Sequence, residues 1–373
     1  MLRKHPWIFS GAIQRGDEVN DGDWVEVLDH KGHFLAYGHA GSGSIAVRIL
    51  SYNAAHSEND IWLPKLSECL AMRKWLFHDF SQTNAYRLVH GEGDGLPGLI
   101  IDIYGSCAVI QTHSTGMHRN QQNIALALDR AFGGQLDTIF SKSRAVLHNH
   151  SIDDVFLKGQ TPETEILENG VRFKVNWVEG QKTGFFLDQR ENRKLLGTIC
   201  QGQTVLNTFC YTGGFSAYAL KNGAGEVCSV DVSAKAMELT AINADLNGGS
   251  DRHQCITADV NTFLKELNNP FDIVILDPPA FAKSLSKKHQ AVMGYKRLNE
   301  LGMKAVKPGG LLFTFSCSQV IDERLFTGAV TAAGIESGRN ARILHRLTQG
   351  PDHPVNLFHP EGHYLKGLLL RID

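Results

Sequence analysis

A chain of 373 residues is too long for one ordinary domain, so two or three are expected. Its 42% hydrophobic and 20% charged residues are the proportions of a soluble globular protein, not of a disordered or fibrous one. A formal net charge of -2 counts against a dedicated basic nucleic-acid binder, so any phosphate contact has to be local. No apolar run reaches the roughly 18 residues of a membrane span, and Met1-Leu2-Arg3-Lys4-His5-Pro6-Trp7 lacks the apolar stretch of a secretory signal. The expectation is a cytoplasmic protein with no membrane partner. The seven cysteines are odd in number, scattered and without a C-x-x-C pair, which argues for reduced thiols and against a zinc site; no metal is expected.

In chain order, residues 1–67 read as short strands between turns. Trp24-Val25-Glu26-Val27-Leu28 is followed by a turn at Asp29–Gly32, then by Phe34–Gly38 and Ile45–Leu50. Closely spaced strands with Gly and Asp turns suggest a small β-barrel. Residues 68–180 are mixed α+β. A helix near Leu70–Phe77, strands at Tyr86–Val89 and Leu99–Ile103, and a second helix over Asn120–Phe132 are expected, with a hairpin at Glu165–Phe173 turning on Asn169-Gly170. Residues 181–373 alternate β-α-β-α, which specifies a parallel sheet with right-handed crossovers. Its strong strands are Thr204–Asn207, Glu226–Val230, Phe271–Leu276 and Gly310–Phe315, with a weaker one at His253–Thr257. The fold class is therefore α/β, a C-terminal Rossmann-like domain preceded by two smaller domains.

In such sheets ligands bind beyond the carboxyl ends of the strands, so the residues after each strand are the candidates. After the first strand comes Phe209-Cys210-Tyr211-Thr212-Gly213-Gly214, where Gly213 and Gly214 let the backbone approach a cofactor closely. Asp231 ends the second strand, about 20 residues on, where a carboxylate can take both hydroxyls of a ribose. Asp259 follows the weak strand, within reach of an adenine amino group. Any one of these acids could be a helix cap instead. Asp277-Pro278-Pro279-Ala280-Phe281 follows the fourth strand, a pattern suited to presenting a flat nucleobase to a methyl donor and of no use to a dinucleotide enzyme.

Ser316-Cys317-Ser318 ends the next strand, at the same edge as Asp277. Alone, Cys317 reads as a small buried thiol; beside Asp277 it reads as a nucleophile. Pyrimidine C5 is too weak a nucleophile to attack a methyl sulfonium, whereas a thiolate adding at C6 makes C5 enamine-like. Only a few per cent of a free thiol with a pKa near 8.5 is ionised at neutral pH, so a nearby cation such as Lys283 is expected to help. The run of Lys283, Lys287, Lys288, Lys296 and Arg297 contains no acid and is the candidate RNA footprint.

These motifs make the chain resemble the bacterial ribosomal RNA large-subunit methyltransferases that modify cytosine at C5 and carry an N-terminal PUA domain. His5-Pro6-Trp7-Ile8-Phe9-Ser10-Gly11 is similar to the start of that PUA barrel, and Val89–Leu99 to the middle-domain signature. Gln181–Arg190 resembles the segment that leads into the catalytic domain and covers the cofactor, which assigns Phe186 to the cofactor. The resemblance implies S-adenosylmethionine as cofactor, Cys317 as nucleophile and Asp277 holding the N3/N4 edge of cytosine. It further implies 23S ribosomal RNA or the assembling large subunit as partner, with Pro278, Pro279 and Phe281 on the substrate side; a homodimer is compatible with it. Two departures stand out. Many RNA cytosine-C5 enzymes carry a second cysteine where this chain has Pro279, and Asn207 stands where many methyltransferases have an acid. The competing readings are methylation of a guanine or adenine exocyclic amine, methylation of uracil C5, and a non-catalytic RNA-binding ribosome assembly factor.

Overall fold

A computed structural model describes residues 4–14, 16, 18–54, 57–147, 152–282 and 284–373. The chain divides into two compact units. The first comprises Met1–Leu167, Val175–Leu187 and Pro351–Gly362, and the second comprises Glu168–Lys174, Asp188–Gly350 and His363–Asp373. The three ranges expected from sequence each carry a sheet of their own, but 1–67 and most of 68–180 fall within one compact unit.

The first unit opens with β1 (Trp7–Phe9), β2 (Trp24–Leu28), β3 (Phe34–Ala40) and β4 (Ile45–Ser51), an antiparallel sheet in the order β1-β4-β3-β2. Helix α1 (Trp62–Phe77) begins eight residues before the expected Leu70. Pro64 lies in its first turn, where the missing N–H has no helical partner to lose. Strands β5 (Ala85–His90), β6 (Leu99–Tyr104) and β7 (Cys107–Thr112) precede helices α2 (Thr115–Arg119) and α3 (Gln121–Ala131). Then come β8 (Thr138–Ser141), α4 (Arg144–Leu147) and β9 (Val155–Lys158). The five strands form a second sheet in sequential order, and α1 and α3 close its apolar face around Leu66, Leu88, Ile101, Ile110, Ile124 and Leu128. A hairpin of β10 (Glu163–Glu168) and β11 (Val171–Asn176) follows. Asn169 and Gly170 both adopt left-handed φ, +50° and +75°, the geometry that an Asn-Gly hairpin turn demands.

The second unit contains α5 (Arg190–Ile199), β12 (Thr204–Thr208), α6 (Gly214–Lys221), β13 (Glu226–Asp231), α7 (Ala234–Asp245), β14 (His253–Thr257) and α8 (Val260–Glu266). It continues with β15 (Phe271–Leu276), α9 (Lys288–Lys304), β16 (Val306–Ser316), α10 (Glu323–Ser337), β17 (Ala341–Leu347) and β18 (Lys366–Ile372). The sheet order is β14-β13-β12-β15-β16-β18-β17, and β18 runs antiparallel to both its neighbours. Helices cover both faces. One core packs Leu206, Val274, Leu276 and Leu312 against α8, α9 and α10; the other packs Val205, Ile273, Ile275 and Phe313 against α5, α6 and α7. The central parallel strands β12, β13, β15 and β16 are largely buried and rich in apolar side chains, which is why they were legible in sequence; the outer β14 and β17 are mostly exposed. The order reverses between β12 and β15, and the cleft beyond their carboxyl ends is where such sheets bind ligands.

Candidate active site

Thr208 Oγ1 donates to the Ile275 carbonyl at 2.7 Å, clamping β12 to β15 at the reversal point. The backbone beyond Thr208 is unusual. Phe209, Tyr211 and Gly213 have φ of +53°, +47° and +75°, so alternate residues sit in the left-handed region, two of them aromatic. Such conformations cost on the order of 1–3 kcal/mol each and persist only where their surroundings over-determine them. Here they do. The Tyr211 N–H donates to Asp231 Oδ2 at 3.0 Å, and its carbonyl accepts from Thr240 Oγ1 at 2.8 Å. The carbonyl of buried Thr212 accepts from Asn243 Nδ2 at 2.8 Å.

Asn207 sits just below this loop. Its Nδ2 donates to Ser216 Oγ at 2.8 Å, and the chain continues through Ser229 Oγ to His253 Nε2 by two further contacts of 2.7 Å. A buried carboxylate would need a cation here; an amide completes a neutral chain instead. Asn207 Oδ1 is buried and makes no hydrogen bond among the described residues.

Asp231 ends β13 half-buried, and its second oxygen accepts from the Ser233 N–H at 3.0 Å. The next residue, Val232, is 74% exposed beside that carboxylate, a feature the sequence reading missed. Asp259 differs from expectation. It is exposed and caps α8, with Oδ1 accepting from the Thr262 N–H at 2.9 Å and from Thr262 Oγ1 at 3.0 Å. The cap alone accounts for it.

Asp277 and Cys317 follow adjacent parallel strands, since β15 and β16 pair Leu276 with Thr314. Gln189 Nε2 donates to Asp277 Oδ2 at 3.1 Å, and Gln189 Oε1 accepts from Asn192 Nδ2 at 2.6 Å. Gln189 and Asn192, both buried, thus aim the Asp277 carboxylate; neither was a sequence candidate. Cys317 alone among the seven cysteines is half-exposed, five being buried and Cys255 exposed. Tyr295 of α9, fully buried, lies within electrostatic reach of both groups. Burial first, with Cys317 and Asp277 adding to it, pushes its phenol up to about 12. A further missed residue is Lys366, whose Nζ donates to the carbonyl of Ser318.

The remaining candidates divide. Pro278 is buried and Pro279 exposed. Phe281 packs on Tyr295 with ring centroids 4.5 Å apart, so part of it serves α9 packing. Lys283 lies outside the described residues. Lys287 and Arg297 are exposed and Lys288 half-buried, whereas Lys296 is engaged in an ion pair with Glu336 of α10. Phe186 lies in the first unit, half-buried, with the Lys182 ammonium 4.8 Å from its ring centroid. No metal was expected; among the described residues one group, His5, His359 and Glu361 of the first unit, brings ligand atoms within 4.8 Å of one another.

Six parallel strands, one reversed strand and a cofactor-type loop at the reversal point define a Rossmann-like methyltransferase fold. The S-adenosylmethionine-dependent methyltransferase family profile matches residues 116–370, and a PUA-like domain profile matches residues 1–52. Among curated relatives, ribosomal RNA large subunit methyltransferase I of Alteromonas mediterranea is 39% identical, over 100% of this chain and 96% of its own. The Aeromonas hydrophila protein of the same name is 38% identical over the same shares. An S-adenosylmethionine-dependent methyltransferase structure from Streptococcus mutans superposes with a TM-score of 0.84 at 24% identity, covering 99% of this chain and 96% of that one. A further structure with the same coverage was crystallised with S-adenosylhomocysteine; both likenesses bear on fold alone. The chain belongs to the S-adenosylmethionine-dependent methyltransferases, in the family of the ribosomal RNA large subunit methyltransferases I. It is an enzyme whose methyl donor is S-adenosylmethionine.

Proposed function

We propose that the enzyme methylates C5 of a cytosine in large-subunit ribosomal RNA through a transient bond between Cys317 and C6 of the base. The observation that carries this reading is that the single half-exposed thiol of the chain ends the strand next to the one that ends in Asp277. An enzyme that methylates an exocyclic amine has no need of such a thiol.

The donor set suits S-adenosylmethionine. Asp231 offers a carboxylate to the ribose hydroxyls, Val232 an apolar surface to the adenine face, and the strained loop from Phe209 to Gly214 an opening for the polar end. The unpaired Asn207 Oδ1 provides one further acceptor beneath that loop. Phe186 remains a candidate cofactor residue from the first unit, while Asp259 enters only if its cap bond leaves the second oxygen for the adenine amine. S-adenosylmethionine supplies an electrophilic methyl group on a sulfonium centre. The chain's own residues make C5 reactive. The Cys317 thiolate bonds to C6 and shifts electron density to C5. Once C5 carries the methyl group and has lost its proton to a base, the C6–S bond breaks and the thiolate returns. Asp277, held by Gln189, grips the N3/N4 edge and keeps the ring in register with the sulfur. The cytosine is taken from its stack at a cost of a few kcal/mol unless already unpaired. Lys287, Lys288 and Arg297 together with the PUA-like domain hold the RNA backbone, which carries affinity rather than base choice.

The test is incubation of unmodified large-subunit ribosomal RNA with the enzyme and labelled S-adenosylmethionine, followed by nucleoside mass analysis. Label in 5-methylcytidine supports the reading. Label in 5-methyluridine, N2-methylguanosine or N6-methyladenosine would replace it with the corresponding rival.

A further inference from the structure

Next to the thiol the fold buries a cation that pairs with no carboxylate among the described residues. Lys366, only 4% exposed, opens β18 and is the ladder partner of Ser316. Its Nζ donates to the carbonyl of Ser318 at 2.7 Å and to that of Tyr364 at 2.6 Å. Both residues flanking Cys317 are therefore tied to Lys366, one through the sheet and the other through the ammonium. Two of the three N–H groups go to neutral carbonyls, and among the described residues no acid stands within ion-pair distance. Burying an ammonium in this way is expensive unless an anion shares the site.

Cys317 follows β16, Lys366 opens β18, Asp322 precedes α10, Asp277 follows β15 and Tyr295 projects from α9. Burial lowers the proton affinity of Lys366, while the fields of Cys317 and Asp322 raise it. The Asp277 and Asp322 carboxylates work against a negative sulfur, while the Tyr295 phenol, raised to about 12, stays neutral; among these groups Lys366 is the cation that favours one.

We propose that the Lys366 ammonium is the counter-ion of a Cys317 thiolate and positions that sulfur for attack. Lys283, the cation expected from sequence, is not needed for this role. The proposal deepens the reading of Cys317 as the nucleophile and rests on it for its meaning in catalysis. Lys366 itself touches neither substrate nor cofactor in this account; it is a positioning residue.

The test is the pH dependence of Cys317 alkylation by iodoacetamide in the full-length protein, followed by mass spectrometry of the Cys317 peptide so that exposed Cys255 does not interfere. In the unsubstituted protein the midpoint is expected below the ordinary thiol value of about 8.5. Lys366→Gln keeps donors for the two carbonyls but removes the charge, and Lys366→Met keeps the length alone. Both are expected to raise the midpoint by about one unit, slowing alkylation at neutral pH roughly tenfold. Lys366→Arg, which keeps the charge, is expected to restore most of the shift. A midpoint at or above 8.5 in the unsubstituted protein overturns the proposal, as does an unmoved midpoint in a Lys366→Gln protein that still binds S-adenosylmethionine. Alkylation does not require methyl transfer, so the outcomes separate. If Cys317→Ala stays active, the nucleophile reading falls although the Lys366 shift stands. If Cys317→Ala is inactive and no shift is seen, only the counter-ion proposal falls.

Discussion

At Gly213 the backbone has φ of +75°, and a methyl group added there would come within 2.6 Å of Thr240 Cγ2. Gly213→Ala is thus disfavoured twice, by conformation and by contact. It is expected to cost about 1–3 kcal/mol and, on the cofactor role proposed for this loop, to weaken S-adenosylmethionine binding as well. Urea unfolding and calorimetry check the two effects; a variant with unchanged affinity would remove this loop from the cofactor site. The residue scale also shows what the sequence could reveal. Asp231, Asp277 and Cys317 were legible because a strand end announces itself by the loss of apolar periodicity. Gln189 and Lys366 were not, since they reach their partners across separations of 88 and 48 residues. Asp259 carries both readings that a strand-end acid allows, since one of its oxygens caps α8.

Among the elements, α5 has the most to hold. Its Arg193 makes a two-pronged ion pair with Glu168, both contacts 2.8 Å and both side chains buried. The Tyr218 hydroxyl of α6 closes the group by donating to the Glu168 carbonyl at 3.0 Å. Arg193→Met strands a buried carboxylate and is expected to destabilise the protein by about 3–5 kcal/mol. Adding Glu168→Leu to that variant is expected to recover much of the loss, because both charges are then gone. Thermal and urea unfolding of the single and double variants check this; a double variant as unstable as the single would contradict it. The strands β12, β13, β15 and β16 could be read from sequence because each carries a mostly buried apolar run, whereas β14, largely exposed, gave only a weak signal. By contrast β17, with its mostly exposed side chains, and β18, after a long loop, carried no comparable signal, and β18 is the element that brings Lys366 to the thiol.

Over the whole molecule, 37 basic residues nearly balance 39 acidic ones, so RNA cannot be drawn in by a large positive field. Affinity then has to come from a few local cations and the PUA-like domain. The fold class followed from the alternation of strands and helices, but the division into units did not. Pro351–Gly362 belongs to the first unit although it lies deep in the C-terminal sequence, and Asp352 explains why. Its Oδ2 accepts from the Arg87 N–H at 2.9 Å and its carbonyl from buried Arg73 at 2.9 Å, pairings 265 and 279 residues apart that no local pattern announces. The central claim concerns one sulfur, and it can be measured directly. Ribosomal RNA carrying 5-fluorocytidine blocks proton loss at C5, so an enzyme already joined to C6 stays joined. With S-adenosylmethionine present, the unsubstituted enzyme is predicted to form a complex that survives denaturation and maps to Cys317, and Cys317→Ser to form none. An enzyme that methylates ordinary RNA yet leaves the fluorinated RNA free, or a complex undiminished in Cys317→Ser, would contradict the account.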